Sequence, residues 1–171
     1  MEQNAGYLTL NTSCDTSEFV CDNIKKWWVT IGIFLYPIAR YILVLCDGGG
    51  SNSSRHFIFK QDLEKLAIEL GVNIRIAHYP PYCSKWNPIE HRLFSQVSRA
   101  MTGSKLLDID EARKRIQRTQ TSTGLKIVVD INEKNYTVGR KYEVDYKENM
   151  KIKFDGFLPK WNYVAMADTA A

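Results

Sequence analysis

Hydrophobic positions along the chain change period several times, and each change marks an element. Residues 6–10 (GYLTL) follow a turn at Asn4-Ala5-Gly6 and read as a short strand. Asp15-Thr16-Ser17-Glu18 fits a capping box, with Asp15 as N-cap and Glu18 at the third helical position. The helix it opens runs to about Trp28, with Phe19, Val20, Ile24, Trp27 and Trp28 as its apolar side. The run YILVLC (41–46) is apolar without a break, the signature of a central strand covered on both faces. It ends at Asp47, and Gly48-Gly49-Gly50-Ser51-Asn52 interrupt regular structure. Leu63, Leu66, Ala67 and Leu70 recur at helical spacing within a helix over 56–70, and Gly71 supplies its stop. Residues 72–78 alternate as a strand that Pro80-Pro81 ends. Asn87 as N-cap and Pro88 at the first helical position open a third helix, with Ile89, Leu93, Val97 and Met101 as its buried stripe. A short basic helix over 108–118 and a polar linker over 119–124 follow. Short strands are expected over 125–131, 136–138, 141–146 and 151–154.

The order is strand and helix alternating three times, then a β-rich tail, which predicts an α/β fold. Two strands joined through a helix imply a parallel crossover, and chemistry in such a sheet collects outside the carboxyl ends of the strands. Asp47 stands at such an end. The texture change at the linker places a domain at 1–120 and a β-rich C-terminal extension at 121–171.

Composition narrows the classes. The 171 residues are 44% hydrophobic and 25% charged, ordinary globular values that exclude collagen-like, low-complexity and disordered chains. No apolar stretch approaches the roughly 20 residues of a membrane span, and the N-terminal residues lack the pattern of a secretory signal, so a cytoplasmic, membrane-free protein is expected. Cys14, Cys21, Cys46 and Cys83 form no CxxC pair and read as reduced thiols. Net charge is +4, but between Lys85 and Lys126 nine basic residues face four acidic ones. That local excess suits a polyanion; a solvated helix face gives the same count.

Two carboxylates stand out by position. Asp47 follows a buried strand and is loosened by glycines; Glu90 lies in the first turn of a helix after the next strand. Hard divalent cations take carboxylate oxygens, and a pair of such ions can drive phosphoryl transfer. Each acid also has a plain structural use, Asp47 as the start of an Asp-Gly turn and Glu90 as a capping-box partner of Asn87. The glycine run lacks the GK[ST] ending of a phosphate loop and more simply lets a substrate backbone approach Asp47. The stretch PPYCSKWNPIEHRLF sets rings (Tyr82, Trp86), cations (Lys85, Arg92) and an amide (Asn87) around Glu90, an interleaving that fits base stacking and phosphate neutralisation. Trp86 packed in a core is the alternative.

A strand ending in Asp and a later P-P-Y-x-x-x-x-N-P-I-E at a helix start resemble the end of the catalytic domain of mariner-like and insertion-sequence transposases. The longer wording from CDGGGSNSSRHFIFK to SKWNPIEHRLFS, with CDTSEFVCDNIKKWW upstream and STGLKI downstream, resembles the Rhodopirellula-type transposase family over almost the whole chain. The resemblance implies an RNase H-like mixed sheet with flanking helices and a D-D-E triad. That triad holds two Mg²⁺ or Mn²⁺ ions and cuts and joins DNA at transposon ends. By position Asp47 matches the second acid and Glu90 the third, 43 residues apart. Residues 6–10 would complete an antiparallel hairpin whose earlier strands, with the first acid, are expected to be missing. Asp15 and Asp22 sit at and inside a helix and do not replace it. Lys85, Trp86, Asn87, His91 and Arg92, with Ser51 and Asn52, are the expected DNA contacts.

Three readings follow. The chain is a transposase catalytic domain that retains or borrows a full acidic site or, as the missing first acid favours, a fragment of one that is inactive alone. It is a non-catalytic relic module that binds DNA or a full-length transposase. Or it is an unrelated α/β phosphohydrolase using Asp47, against which the lack of a second acid beside Asp47 counts. An open sheet edge left by missing strands would favour a homo-oligomer.

Overall fold

A computed structural model describes residues 4–47, 49–80, 82–103, 105 and 108–167. Gly48 of the glycine run and Pro81 of the Pro-Pro pair lie outside the described residues. In chain order the elements are β1 (Ala5–Leu10), α1 (Ser17–Trp27), α2 (Ile33–Leu35), β2 (Tyr41–Cys46), α3 (Phe57–Leu70) and β3 (Asn73–His78). Then come α4 (Ser95–Met101), α5 (Ile109–Gln117), β4 (Lys126–Ile131), α6 (Tyr146–Asn149), β5 (Ile152–Phe154) and β6 (Asn162–Ala165). Contacts gather the chain into two compact units, Asp15–Cys83 with Tyr136–Ala171, and Met1–Cys14 with Ser84–Asn135. The tail over 121–171 is therefore shared: β4 belongs to the smaller unit, β5 and β6 to the larger.

The larger unit is a four-stranded mixed sheet in the order β2-β3-β6-β5, with α1 and α3 packed together. This is the expected α/β architecture of mixed sheet and flanking helices, consistent with an RNase H-like domain. β2 and β3 run parallel, in register from Tyr41↔Asn73 to Cys46↔His78, with α3 in the connection that parallel strands require. β6 pairs antiparallel with both β3 and β5. Phe59, Leu63 and Ala67 of α3, Ile74 and Ile76 of β3, and Tyr163 and Ala165 of β6 close into one core with Cys21 and Cys46.

Four expectations are corrected. β2 is not covered on both faces: Ile42 and Cys46 are buried, but Tyr41, Leu43 and Leu45 are exposed, and only β3 pairs with it among the described residues. An unbroken apolar run reports hydrophobicity and not which face is covered. The first helix is capped by Thr16, whose Oγ1 accepts from the Phe19 amide at 3.2 Å. Asp15 is drawn away instead to the Ser51 hydroxyl at 2.8 Å. Helical structure then continues past Trp28 through a π-helical stretch, Trp28–Gly32, into α2. Gly32 allows this, because a Cβ there would stand 2.5 Å from Cε3 of Trp28. Residues 136–138 and 141–145 form no strand. Side chains hold that segment to the larger unit: Tyr136 donates to Asp22 at 2.8 Å, Arg140 pairs with Glu18 and Asp62, and Tyr146 donates to Glu64 at 3.2 Å.

The smaller unit joins β1 and β4 in parallel, from Ala5↔Lys126 to Leu10↔Ile131, so β1 does not complete an antiparallel hairpin. Asparagines fix both ends of the pair. Asn4 donates to the Thr123 carbonyl at 2.6 Å and Asn11 to the Asn132 carbonyl at 2.5 Å. Leu93, Ile116, Ile127 and Val129 form its core, with Leu8 and Leu10 against it. No helix among the described residues is long and apolar enough to cross a membrane.

Two stability measurements test this architecture. Phe59→Ala removes a fully buried ring and should cost about 3–5 kcal/mol in urea unfolding, whereas Leu43→Ala, at a position 60% exposed, should cost under about 1 kcal/mol. Equal losses would contradict the assignment of the covered face. His78 is buried, and burial, with the Lys60 charge adding and Asp47 opposing, lowers its pKa to about 4. Cys46 and Tyr163 are its other titratable neighbours. A depressed folded pKa contributes stability that is full above about 6.5 and is lost as pH falls towards 4. The wild-type chain should lose on the order of 3 kcal/mol across that window, and His78→Phe should flatten the loss.

Candidate active site and nucleic-acid interface

Asp47 leaves β2 at its carboxyl end with its side chain exposed. The next strand's chain leaves beside it, because Tyr79 donates its amide to the Cys46 carbonyl at 2.7 Å. The Asp47 Oδ1 accepts from the Gly49 amide at 3.0 Å, the turn-forming bond expected of Asp before glycine. The structural use of Asp47 is thus present, and it occupies one oxygen only; Oδ2 has no partner among the described residues. Gly50 has φ +55°, and a Cβ there would come within 3.2 Å of an Asp15 carboxylate oxygen. Ser51 is the residue that binds Asp15, and Asn52 buries its side-chain oxygen without a partner among the described residues. This loop, with Asp15 at its flank, is therefore tighter than a plain flexible linker. Asp22, bound by Tyr136, is committed to structure.

Buried polar groups line the sheet behind Asp47. His78 Nε2 meets the Tyr163 hydroxyl at 3.1 Å. Lys60, only 4% exposed, donates to the Ser54 carbonyl and lies 4.9 Å from the Tyr163 ring centroid and 5.3 Å from that of Phe57. Burial lowers the Lys60 pKa and pushes the Cys46 thiol up to about 12, with the Asp47 charge adding at Cys46. Cys46 is therefore a neutral core thiol, and none of the four cysteines is in a disulfide. No sequence motif marked Lys60, His78 and Tyr163; a lysine at an otherwise core position of α3 was the one available signal.

Glu90 belongs to the smaller unit, Asp47 to the larger. Helical structure begins at Pro88, and the Glu90 amide donates to the Asn87 carbonyl at 3.2 Å. Glu90 then opens a π-helical stretch, Glu90–Phe94, that runs into α4. Such single wide turns gather at functional positions, and sequence periodicity does not reveal them. Leu93 anchors the turn in the core, so tightly that a Cβ at Gly6 would lie 2.6 Å from its Cδ1. Glu90 is half-buried, and no hydrogen bond or ion pair engages its carboxylate among the described residues.

The expected DNA contacts divide by exposure. Trp86 is 67% exposed, which removes its reading as a core residue, and Lys85 places its ammonium 5.0 Å from that ring. His91 is exposed with Nε2 2.9 Å from the Lys85 carbonyl, and Arg92 is exposed. Asn87 is only 8% exposed and reads as a structural start to its helix. Tyr82 is fully exposed at φ +63°, a conformation unusual for a ring-bearing residue. In α5, Arg113 pairs with Asp110 at 3.1 Å and Arg115 with Glu111, so part of the basic excess is balanced within its own helix.

Carboxylate oxygen is the right donor chemistry for Mg²⁺ or Mn²⁺, and Asp47 and Glu90 each supply it. Among the described residues, however, no three His, Cys, Asp or Glu side chains are grouped to hold a metal ion. The residues present fit part of a donor set.

Comparison with curated proteins finds no match, and comparison with solved structures finds none. A family model does match, described as the Rhodopirellula transposase DDE domain, and it spans residues 1–167. DDE transposases generally use a divalent metal and act on DNA. With nearly the whole length matched, the chain belongs to the Rhodopirellula transposase DDE domain family.

Proposed function

We propose that this chain carries part of the catalytic centre of a transposase, with Asp47 and Glu90 as the second and third acids of a D-D-E set. The observation that carries this is the exposed Asp47 carboxylate at the carboxyl end of β2, in a chain matched from 1 to 167 by a DDE-domain family. Asp47 and Glu90 would hold Mg²⁺ or Mn²⁺, which supplies charge to stabilise phosphoryl transfer at a DNA 3′ end. The chain's own contributions are orientation and attraction. The Gly49 amide fixes one Asp47 oxygen and leaves the other open. The wide turn at Glu90 leaves that carboxylate without a competing cation. Lys85, Trp86, His91 and Arg92 would meet the DNA backbone and bases, with Ser51 and Asn52 beside Asp47.

The chain acting alone is inactive in this reading, because neither Asp15 nor Asp22 stands as a third ligand. A non-catalytic module that binds DNA or a full-length transposase in the cytoplasm is the second reading. The exposed Trp86–Lys85 pair favours it, since stacking and phosphate contacts need no metal. A second copy is a further partner, through the outer edge of β2. That strand carries neither charge nor proline to discourage edge pairing.

Three experiments test these statements. Incubation with candidate transposon-end DNA and Mn²⁺ should give no cutting by the wild-type chain. Cutting that vanishes in both Asp47→Asn and Glu90→Gln would overturn the inactive reading while upholding the site. DNA affinity should fall steeply with salt, and Trp86→Ala should weaken single-strand binding by about 1–3 kcal/mol; salt-independent binding would remove the DNA interface. Sedimentation should show self-association that Leu43→Lys reduces, and a monomer at all concentrations would remove the edge contact.

A further inference from the structure

His78 closes β3 directly opposite Cys46, one residue before Asp47, and is 7% exposed. Its Nε2 lies 3.1 Å from the Tyr163 hydroxyl, while its Nδ1 is buried with no hydrogen-bond partner among the described residues. Leaving such a buried atom unsatisfied is costly, so an acceptor within reach is expected.

The proton inventory decides what Nδ1 is. Burial and the neighbouring Lys60 ammonium keep the ring neutral at neutral pH, and a neutral imidazole has one N–H and one lone pair. Tyr163 is 1% exposed, and its hydroxyl has no other hydrogen-bond partner among the described residues. If the phenol donates to Nε2, its proton is satisfied and the ring proton sits on Nδ1. The reverse arrangement strands both the phenol proton and the Nδ1 lone pair. The first leaves fewer groups unmatched, so Nδ1 is a donor in want of an acceptor. Lys60 cannot accept. Asp47 directly follows Cys46, the residue in register with His78, its charge acts on the His78 ring, and its Oδ2 is unoccupied among the described residues.

We propose that His78 is a positioning residue for Asp47, its Nδ1–H donating through one bridging water to Oδ2 while the Gly49 amide holds Oδ1. This rests on the reading of Asp47 as a metal-binding acid. Tyr163, from the C-terminal hairpin, sets the tautomer, which gives that hairpin a part in the site. Ligand carboxylates and imidazoles are commonly held by such outer partners.

The tautomer is read in the metal-free protein by long-range ¹H–¹⁵N correlation of the His78 ring. Nδ1 should carry the proton in the wild-type chain, and Tyr163→Phe should let the tautomers mix. A wild-type ring protonated on Nε2 overturns the proposal. Mn²⁺ affinity, measured by electron paramagnetic resonance without DNA, tests the link to Asp47. His78→Phe and His78→Gln should weaken Mn²⁺ binding about tenfold. His78→Asn should restore it, because its amide N–H falls where Nδ1–H stood and the longer Gln reaches the Nε2 position. Asp47→Asn should abolish it. If Asp47→Asn abolishes binding while all three His78 variants bind as wild type, the positioning role falls and the metal-binding acid stands. If Asp47→Asn leaves binding unchanged, or the wild-type chain binds no Mn²⁺, the acid reading falls and the proposal with it.

Discussion

The parallel pairing of β2 with β3 is the constraint on which the rest of the larger unit depends. Parallel strands end at the same side of a sheet, so registering Cys46 against His78 brings Asp47 and the start of the Pro-rich loop out together. The pairing is held by burial on one face, where Ile74 and Ile76 meet Phe59, Leu63 and Tyr163. It is reinforced from the far side by β6, whose flanking Trp161 carbonyl accepts the His78 amide at 2.9 Å. The C-terminal hairpin is thus part of the sheet that presents Asp47.

The two acids reach their positions by different physics. Asp47 is placed by a strand end and a glycine turn, and buried polar groups stand behind it. Among them is Lys60, an ammonium that only a carbonyl and two rings accompany among the described residues. Glu90 is placed by a helix start and a wide turn pinned through Leu93. Neither carboxylate is spent on a strong ion pair among the described residues, unlike Asp62 or Glu111, which hold arginines. That leaves both acids electrostatically open to a cation.

Much of this was legible in the sequence, for identifiable reasons. The helix over 56–70 was fixed by its leucine spacing and by Gly71, which indeed adopts φ +65°. β3 showed clean alternation, and the basic helix expected over 108–118 is α5, which Asp108 caps by accepting from the Glu111 amide at 2.7 Å. Other features depend on tertiary partners that local pattern does not encode. The open face of β2 reads the same as a covered one. The partner of β1 lies more than a hundred residues away and is chosen by side-chain clamps at Asn4 and Asn11. The tyrosines expected as strand residues at 136, 142 and 146 instead pack as rings, Tyr136 against Phe19 and Tyr142 against Phe57. Among the candidate residues, Asp47, Glu90 and Trp86 were singled out by motif and spacing, whereas His78, Lys60 and Tyr163 drew notice only through burial.

A cation-binding role is proposed for Asp47 and for Glu90. Paramagnetic broadening of amide resonances on titration with Mn²⁺ tests it most directly. The Gly49 amide should broaden in the wild-type chain and lose that effect in Asp47→Asn, and the His91 amide should broaden and lose it in Glu90→Gln. No broadening, or broadening that persists when the neighbouring acid is replaced, would contradict the account.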